Sequence, residues 1–121
     1  CTPDKIDFAQ LYDDYPLIVA MQLEDLGFCE KGKIKEFINK TDFTITGDLP
    51  LNTNGGQLSA GQAGAAGGYQ NVTEALRQAI KQPLGHQIPN SSIGLISGFG
   101  MVNYDRGVCT GAVVIEADNI R

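Results

Sequence analysis

The chain holds a single histidine, His86, and only three cysteines, Cys1, Cys29 and Cys109, none in a C-x-x-C pair. One imidazole and no paired thiols are too few for a zinc site of the usual ligand spacing. An odd number of scattered thiols reads most simply as free cysteines in a reducing cytoplasm, and no signal-peptide pattern is visible. No apolar run approaches the ~20 residues of a membrane span. Basic residues are also scarce: 9 Lys and Arg against 14 Asp and Glu give a net charge of −5. Binding a phosphate backbone needs clustered cations, so nucleic acid is excluded as a partner. The only local basic group, Lys31, Lys33 and Lys35, reads as a solvated face. The chain begins with Cys1 rather than Met, which points to a processed terminus or a piece of a longer protein.

What is present suits one α/β domain. The 121 residues are 42% apolar, enough for a single compact core. Residues 6–11 form a short apolar run, expected to be a strand. Residues 16–26 are apolar almost all round, with Pro16 placed for a first helical turn and Gly27 for the stop. That pattern predicts a strongly buried helix, with Asp13 and Asp14 as charges at its N-terminal end. Residues 31–38 put Ile34, Phe37 and Ile38 on one face of a short helix, and 41–53 read as an extended connector. The clearest helix is 71–82, where Val72, Ala75, Leu76, Ala79 and Ile80 follow helical spacing. Asn71 and Glu74 resemble a capping box there, although the helix could begin within 63–69. A loop over 83–91 leaves His86 exposed. Residues 92–99 and 108–117 are strands, joined antiparallel through an eight-residue loop. The consecutive Val113, Val114 and Ile115 predict a sheet covered on both faces, with Cys109 as a small buried hydrophobe.

Fifteen glycines are many for this length, and they concentrate in 55–68 and 94–111. The first cluster, from Asn54-Gly55-Gly56 to Gly67-Gly68, precedes a helix but matches no phosphate-binding pattern. No Lys-Ser/Thr follows it, and Gly61-x-x-Gly64-x-x-Gly67 is not dinucleotide spacing. The glycines are better placed to let the backbone approach another segment or a ligand. The second cluster flanks Tyr104, Asp105 and Arg106. Three glycines, a tyrosine and an Asp-Arg pair are poor core material and read as a site, the acid and base forming a local ion pair.

Three segments taken together resemble the C-terminal half of the thiolase superfamily. Asn54-Gly55-Gly56 followed by Gly61-Gln62 and the small residues 63–68 is similar to the thiolase run N-G-G…G-H-P-x-G-A-S-G. Residues 6–15 resemble the segment that ends N-E-A-F or H-D-C-F in that superfamily. Residues 104–112 resemble its final hairpin, C-x-G-G-G-x-G-x-A. Order and approximate spacing agree over roughly 5–117. The resemblance implies a layered α/β domain, residues 1–121, with a mixed sheet flanked by helices and ending in an antiparallel strand pair. It also implies an absent N-terminal half that carries the nucleophilic cysteine and the homodimer contact. This fragment alone is expected to be inactive.

The departures from that pattern redirect the chemistry. Gln62 stands where thiolases have histidine, Tyr104 where they have cysteine, and Tyr12 where they have asparagine or histidine. Tyr15 corresponds to a phenylalanine and is expected to pack. Glutamine cannot titrate, but its amide can donate to a thioester oxygen. Tyrosine can exchange protons if its surroundings adjust a reference pKa near ~10. The combination resembles the lipid-transfer-protein-like, steroid side-chain aldolases of the superfamily. For this chain it implies Tyr104 and Tyr12 as catalytic residues and Gln62, Gly61, Gly100 and Asn54 as substrate contacts. The expected activity is retro-aldol cleavage of a β-hydroxyacyl-CoA with no cofactor, coenzyme A entering only as the substrate thioester. The implied partner is a small OB-fold/zinc-ribbon (DUF35-type) protein. The alternatives are a thiolase-type acyltransferase and a non-catalytic acyl-CoA- or lipid-binding subunit.

Overall fold

A computed structural model describes residues 1–62, 64–103 and 106–117. Its elements run β1 (Phe8–Gln10), α1 (Pro16–Asp25), α2 (Ile34–Lys40), α3 (Gly56–Ala60), α4 (Gly68–Ala79), β2 (Ile93–Asn103) and β3 (Arg106–Glu116), with 3-10 turns at Pro3–Lys5 and Gly64–Gly67. The sheet is mixed, in the order β1-β2-β3. β1 pairs parallel with β2, Phe8 opposite Gly94 and Gln10 opposite Ile96. β2 pairs antiparallel with β3, from Ile93 opposite Glu116 to Asn103 opposite Arg106.

Strand alternation sorts the core into two layers. Ala9, Leu11 and Leu95 join Leu23 of α1 and Leu49, with Phe37 of α2 packed alongside. Phe8 and Ile96 point the other way and meet Ala75 of α4 and Ile88. The sheet is thus flanked by helices on both sides. Gly94 is required at this layer: a Cβ there would lie 2.3 Å from Cζ of the Phe8 ring.

The edge of β1 is closed by side chains as well as backbone. Ala9 bridges to Leu51. Beyond it, the Asn52 amide accepts from Leu11 N–H at 2.7 Å and donates to Leu11 C=O at 2.9 Å. At the other end, Asp7 Oδ2 accepts the N–H groups of Ser92 and Ile93 and so fixes the start of β2.

Several expectations are corrected. α1 is not strongly buried: only Leu23 is enclosed, while Leu17 and Met21 stand exposed. One stripe of its apolar surface meets the sheet, and within this chain nothing described covers the rest. β3 is an edge strand whose Val113 and Val114 are exposed, so the sheet is not covered on both faces there. The eight-residue loop is mostly ladder, because pairing continues through Gly100–Cys109 and Val102–Gly107. Glycine weakens a strand but removes no backbone hydrogen-bonding group, so it need not end one. Tyr104 and Asp105 lie outside the described residues, and with Asp105 the expected ion pair to Arg106.

α4 begins at Gly68, ahead of residue 71 and inside the 63–69 stretch anticipated for an earlier start, and Asn71 and Glu74 are buried within it rather than capping it. Its sheet-facing stripe is Asn71, Glu74, Ala75 and Gln78, more polar than the apolar spacing implied. Glu74 accepts from the Thr53 hydroxyl at 2.6 Å and from Gln78 Nε2 at 2.9 Å. Gln78 also donates to His86 C=O and accepts from Ile88 N–H, which ties down the 83–91 loop while leaving His86 itself exposed.

Candidate functional site

Tyr12 leaves the sheet immediately after β1, in a segment forced to turn before α1. Tyr15 precedes a proline and is extended (φ −138°, ψ 144°), as the proline ring requires, and makes no side-chain cap. It is 64% exposed, not packed as expected.

Two hydrogen bonds hold the Tyr12 backbone, and a third joins the side chains that make them. The Tyr12 N–H donates to Ser97 Oγ of β2 at 3.0 Å. The Ser97 hydroxyl in turn donates to Gln22 Oε1 on α1. Gln22 Nε2 closes the circle by donating to Tyr12 C=O at 2.7 Å. The Tyr12 ring tilts against Phe99, with ring centroids 5.6 Å apart. Strand, helix and loop therefore converge on one aromatic residue.

Burial pushes the Tyr12 phenol above its ordinary pKa, and the neighbouring Asp14 carboxylate pushes it further. A charged phenolate is disfavoured by both effects, so near neutral pH this tyrosine is a proton-holding donor rather than a base. Asp14 also accepts a hydrogen bond from Gln62 Nε2. It thereby links two of the anticipated site residues that are 50 positions apart in sequence by subtraction of their numbers.

Tyr12, Gln62 and Gly100 border one cleft of about 690 Å³, together with Gln57, Phe99 and Cys109. Cys109 is exposed here, which overturns its reading as a buried hydrophobe. It sits on the edge strand, where no further strand is described to enclose it. Asn54 and Gly61 do not border this cleft. Asn54 Oδ1 accepts Gly56 N–H at 2.8 Å in a local turn, and Gly61 ends α3 while its C=O accepts from Gln70. Tyr104 is outside the described residues, so the structure gives it no position.

Asp13 has a different task from the one its sequence position implied. It is buried and caps α3, not α1, by accepting Gln57 N–H at 2.7 Å. The carboxylate lies so close to Gly56 that a Cβ there would be 1.9 Å from Asp13 Oδ2, and Gly56 has φ +63°. This is the close approach the glycine cluster permits. Sequence reasoning missed Asp14, Ser97, Gln22 and Gln57 as site members. Of these only Asp14, two residues from Tyr12, carried any local signal.

Lys31 pairs with Asp25 and Lys33 with Glu36, all exposed, so the basic trio is a solvated face. Among the described residues, no three His, Cys, Asp or Glu side chains gather as a metal would need, and no helix is long and apolar enough to cross a membrane.

A three-stranded mixed sheet flanked by helices is the architecture of a thiolase-like domain. Residues 1–110 match the thiolase C-terminal domain-like family, and the chain belongs to it. Among relatives, it is 43% identical over 77 residues to a 17-hydroxy-3-oxo-4-pregnene-20-carboxyl-CoA lyase of Mycobacterium tuberculosis, covering 64% of this chain and 19% of that protein. It is 39% identical over 82 residues to a steroid side-chain-cleaving aldolase of Thermomonospora curvata, covering 67% and 21%. An Ltp2-ChsH2(DUF35) aldolase structure superposes with a TM-score of 0.76 at 31% identity, covering all of this chain and 29% of that one. The chain thus spans about a fifth of the length of the two curated relatives.

Proposed function

We propose that the chain is the C-terminal part of a thiolase-like enzyme that cleaves a β-hydroxyacyl-CoA by a retro-aldol reaction. The observation that carries this reading is the meeting of Tyr12 and Gln62 on one cleft, where burial and Asp14 disfavour the Tyr12 phenolate. A thiolase acyl transfer needs a titratable imidazole to help activate a thiolate. Gln62 cannot provide one, which disfavours the acyltransferase alternative. Two tyrosines and an amide do suit carbon–carbon cleavage. A base removes the proton of the β-hydroxyl. The Cα–Cβ bond breaks, its electron pair moves to the α-carbon, and the β-carbon becomes a carbonyl. The thioester enolate is held by amide donors and then protonated at the α-carbon.

Within that scheme Tyr12 is the proton donor and Tyr104 the base. Tyr12 enters the reaction carrying its proton, because its surroundings disfavour the phenolate. Gln62 contributes a fixed N–H donor near the developing enolate. No cofactor is needed beyond the coenzyme A of the substrate. The matches to steroid side-chain lyases and aldolases support this reaction class, and a steroid-derived acyl group is the substrate they favour. The name of the structural relative supports a DUF35-type partner subunit. The active site is completed by an N-terminal thiolase half, through which the protein dimerises in the cytoplasm.

The test is turnover of a β-hydroxyacyl-CoA by the full-length protein with its partner subunit. Cleavage to a shortened acyl-CoA and a carbonyl product is expected. Tyr12→Phe and Tyr104→Phe should each lower kcat by about 10²–10⁴, the usual worth of a positioned proton-transfer group. Unchanged turnover in Tyr104→Phe would overturn the assignment.

A further inference from the structure

Gln57 borders the Tyr12–Gln62 cleft and is only 4% exposed. Its backbone is fully engaged: the N–H donates to Asp13 and the C=O accepts from Gly61 N–H at 2.9 Å. Its side-chain amide has no hydrogen-bond partner among the described residues. The contrast with nearby glutamines is sharp. Gln62 donates to Asp14, Gln22 to Tyr12 and Ile18, and Gln78 to Glu74 and His86. An amide that borders a cleft without a protein partner keeps both its donor and its acceptor available to whatever fills that cleft. The surrounding structure fixes it firmly. Asp13 clamps the turn before it, and Gly56 is a residue that only glycine can fill at that approach.

We propose that Gln57 is a specificity-determining residue, whose amide binds an oxygen on the acyl group of the substrate beyond the thioester. The chemical class selected is a β-oxygenated acyl-CoA, a β-hydroxyacyl or β-ketoacyl thioester, over a saturated acyl thioester of equal length. Gln62 is held by Asp14 and Tyr12 keeps its proton, which leaves Gln57 as the cleft amide whose donor and acceptor are both uncommitted among the described residues. A carboxamide can serve either oxygen, donating to a β-carbonyl or accepting from a β-hydroxyl. A site built to hydrogen-bond a substrate oxygen rejects the analogue lacking it far more strongly than an apolar pocket can, because the site's own polar group is then left bare. This inference rests on the acyl-CoA reading above and adds to it the group that recognises the β-position.

The test compares binding of 3-hydroxybutyryl-CoA and butyryl-CoA to the full-length protein and to Gln57→Leu, with the melting temperature of both. The wild type should prefer the hydroxy thioester. Gln57→Leu should bind it at least tenfold more weakly while its affinity for butyryl-CoA stays within twofold. Its melting temperature should stay close to that of the wild type, since the amide makes no hydrogen bond among the described residues that leucine would forfeit. A preference that survives in Gln57→Leu overturns the inference, as does a wild type with no preference, or a lowered melting temperature with both affinities falling together. Failure of the wild type to bind either thioester instead overturns the acyl-CoA reading itself.

Discussion

Ser97 and Tyr12 stand 85 positions apart in sequence, and the serine hydroxyl accepts the tyrosine backbone N–H at 3.0 Å. The same hydroxyl donates to Gln22, which returns a bond to the Tyr12 carbonyl. Removing Ser97 Oγ leaves a part-buried N–H without its acceptor and Gln22 Oε1 without its donor. Ser97→Ala should destabilise the domain by about 1–3 kcal/mol. In the full-length enzyme kcat should fall more than KM rises, because the aromatic ring shifts while the rest of the cleft stays. Ser97→Thr, which keeps the hydroxyl on a strand that tolerates β-branching, should restore most of both. Urea unfolding and steady-state kinetics of the two variants check this.

The raised Tyr12 pKa makes a prediction with a definite sign. Burial is the main cause and Asp14 the next. An acid whose folded pKa lies above its unfolded value adds stability below the unfolded value and loses it as pH rises through the folded one. The wild type should therefore lose stability above about pH 10, beyond any loss seen in Tyr12→Phe. Denaturation midpoints of the two proteins across the alkaline range measure the difference, and parallel curves would contradict it.

Asp14→Asn should move the same phenol. It removes the carboxylate that reinforces the shift but leaves the burial. Tyr12 should then titrate below its wild-type value without falling below an ordinary tyrosine. The Gln62 amide loses its charged acceptor at the same time. Phenolate absorbance followed against pH, with Tyr12→Phe as the blank, reads this directly.

Two glycines with positive φ separate conformational strain from collision. Gly32 has φ +81° and nothing within 4 Å of a built Cβ, whereas Gly56 has φ +63° and Asp13 in the way. Gly32→Ala should cost about 1–2 kcal/mol from the left-handed backbone alone. Gly56→Ala should cost more, since Asp13 must also move off the α3 N-terminus, a cap worth about 1 kcal/mol. Equal losses in denaturation experiments would show that the Asp13 contact is soft.

How much of this was readable in advance depended on how local the determining interaction is. Pro16 and Gly27 marked α1 because both act through their own φ angles, and Gly27 is indeed left-handed at +85°. α4 was legible because twelve residues allow a period to repeat. α3 was hidden: five residues opening on a glycine show no period, and its cap, Asp13, is supplied from 44 positions away. The same distance concealed Asp13's role, which looked like a charge for the helix beside it. Val113 and Val114 carried the composition of a covered strand, but strand order, not composition, decides which strand is at the edge. The β2–β3 hairpin is longer than its composition implies, because the backbone groups of its glycines keep pairing. Tyr12, Gln62 and Gly100 were reached through a resemblance between motifs, whereas Ser97 and Gln22 matter only through contacts that no motif records.

Asn52 answers both the N–H and the C=O of Leu11, the groups that an additional strand would need to recruit beside β1. Growth of the sheet on the β1 side is therefore blocked by the 50–52 backbone at Ala9 and by the Asn52 side chain just beyond it. On the opposite margin β3 presents Val108 and Val113 to solvent. The domain is polarised as a template: among the described residues the β3 margin is open to strand addition, while the 50–52 segment and its Asn52 amide close the other.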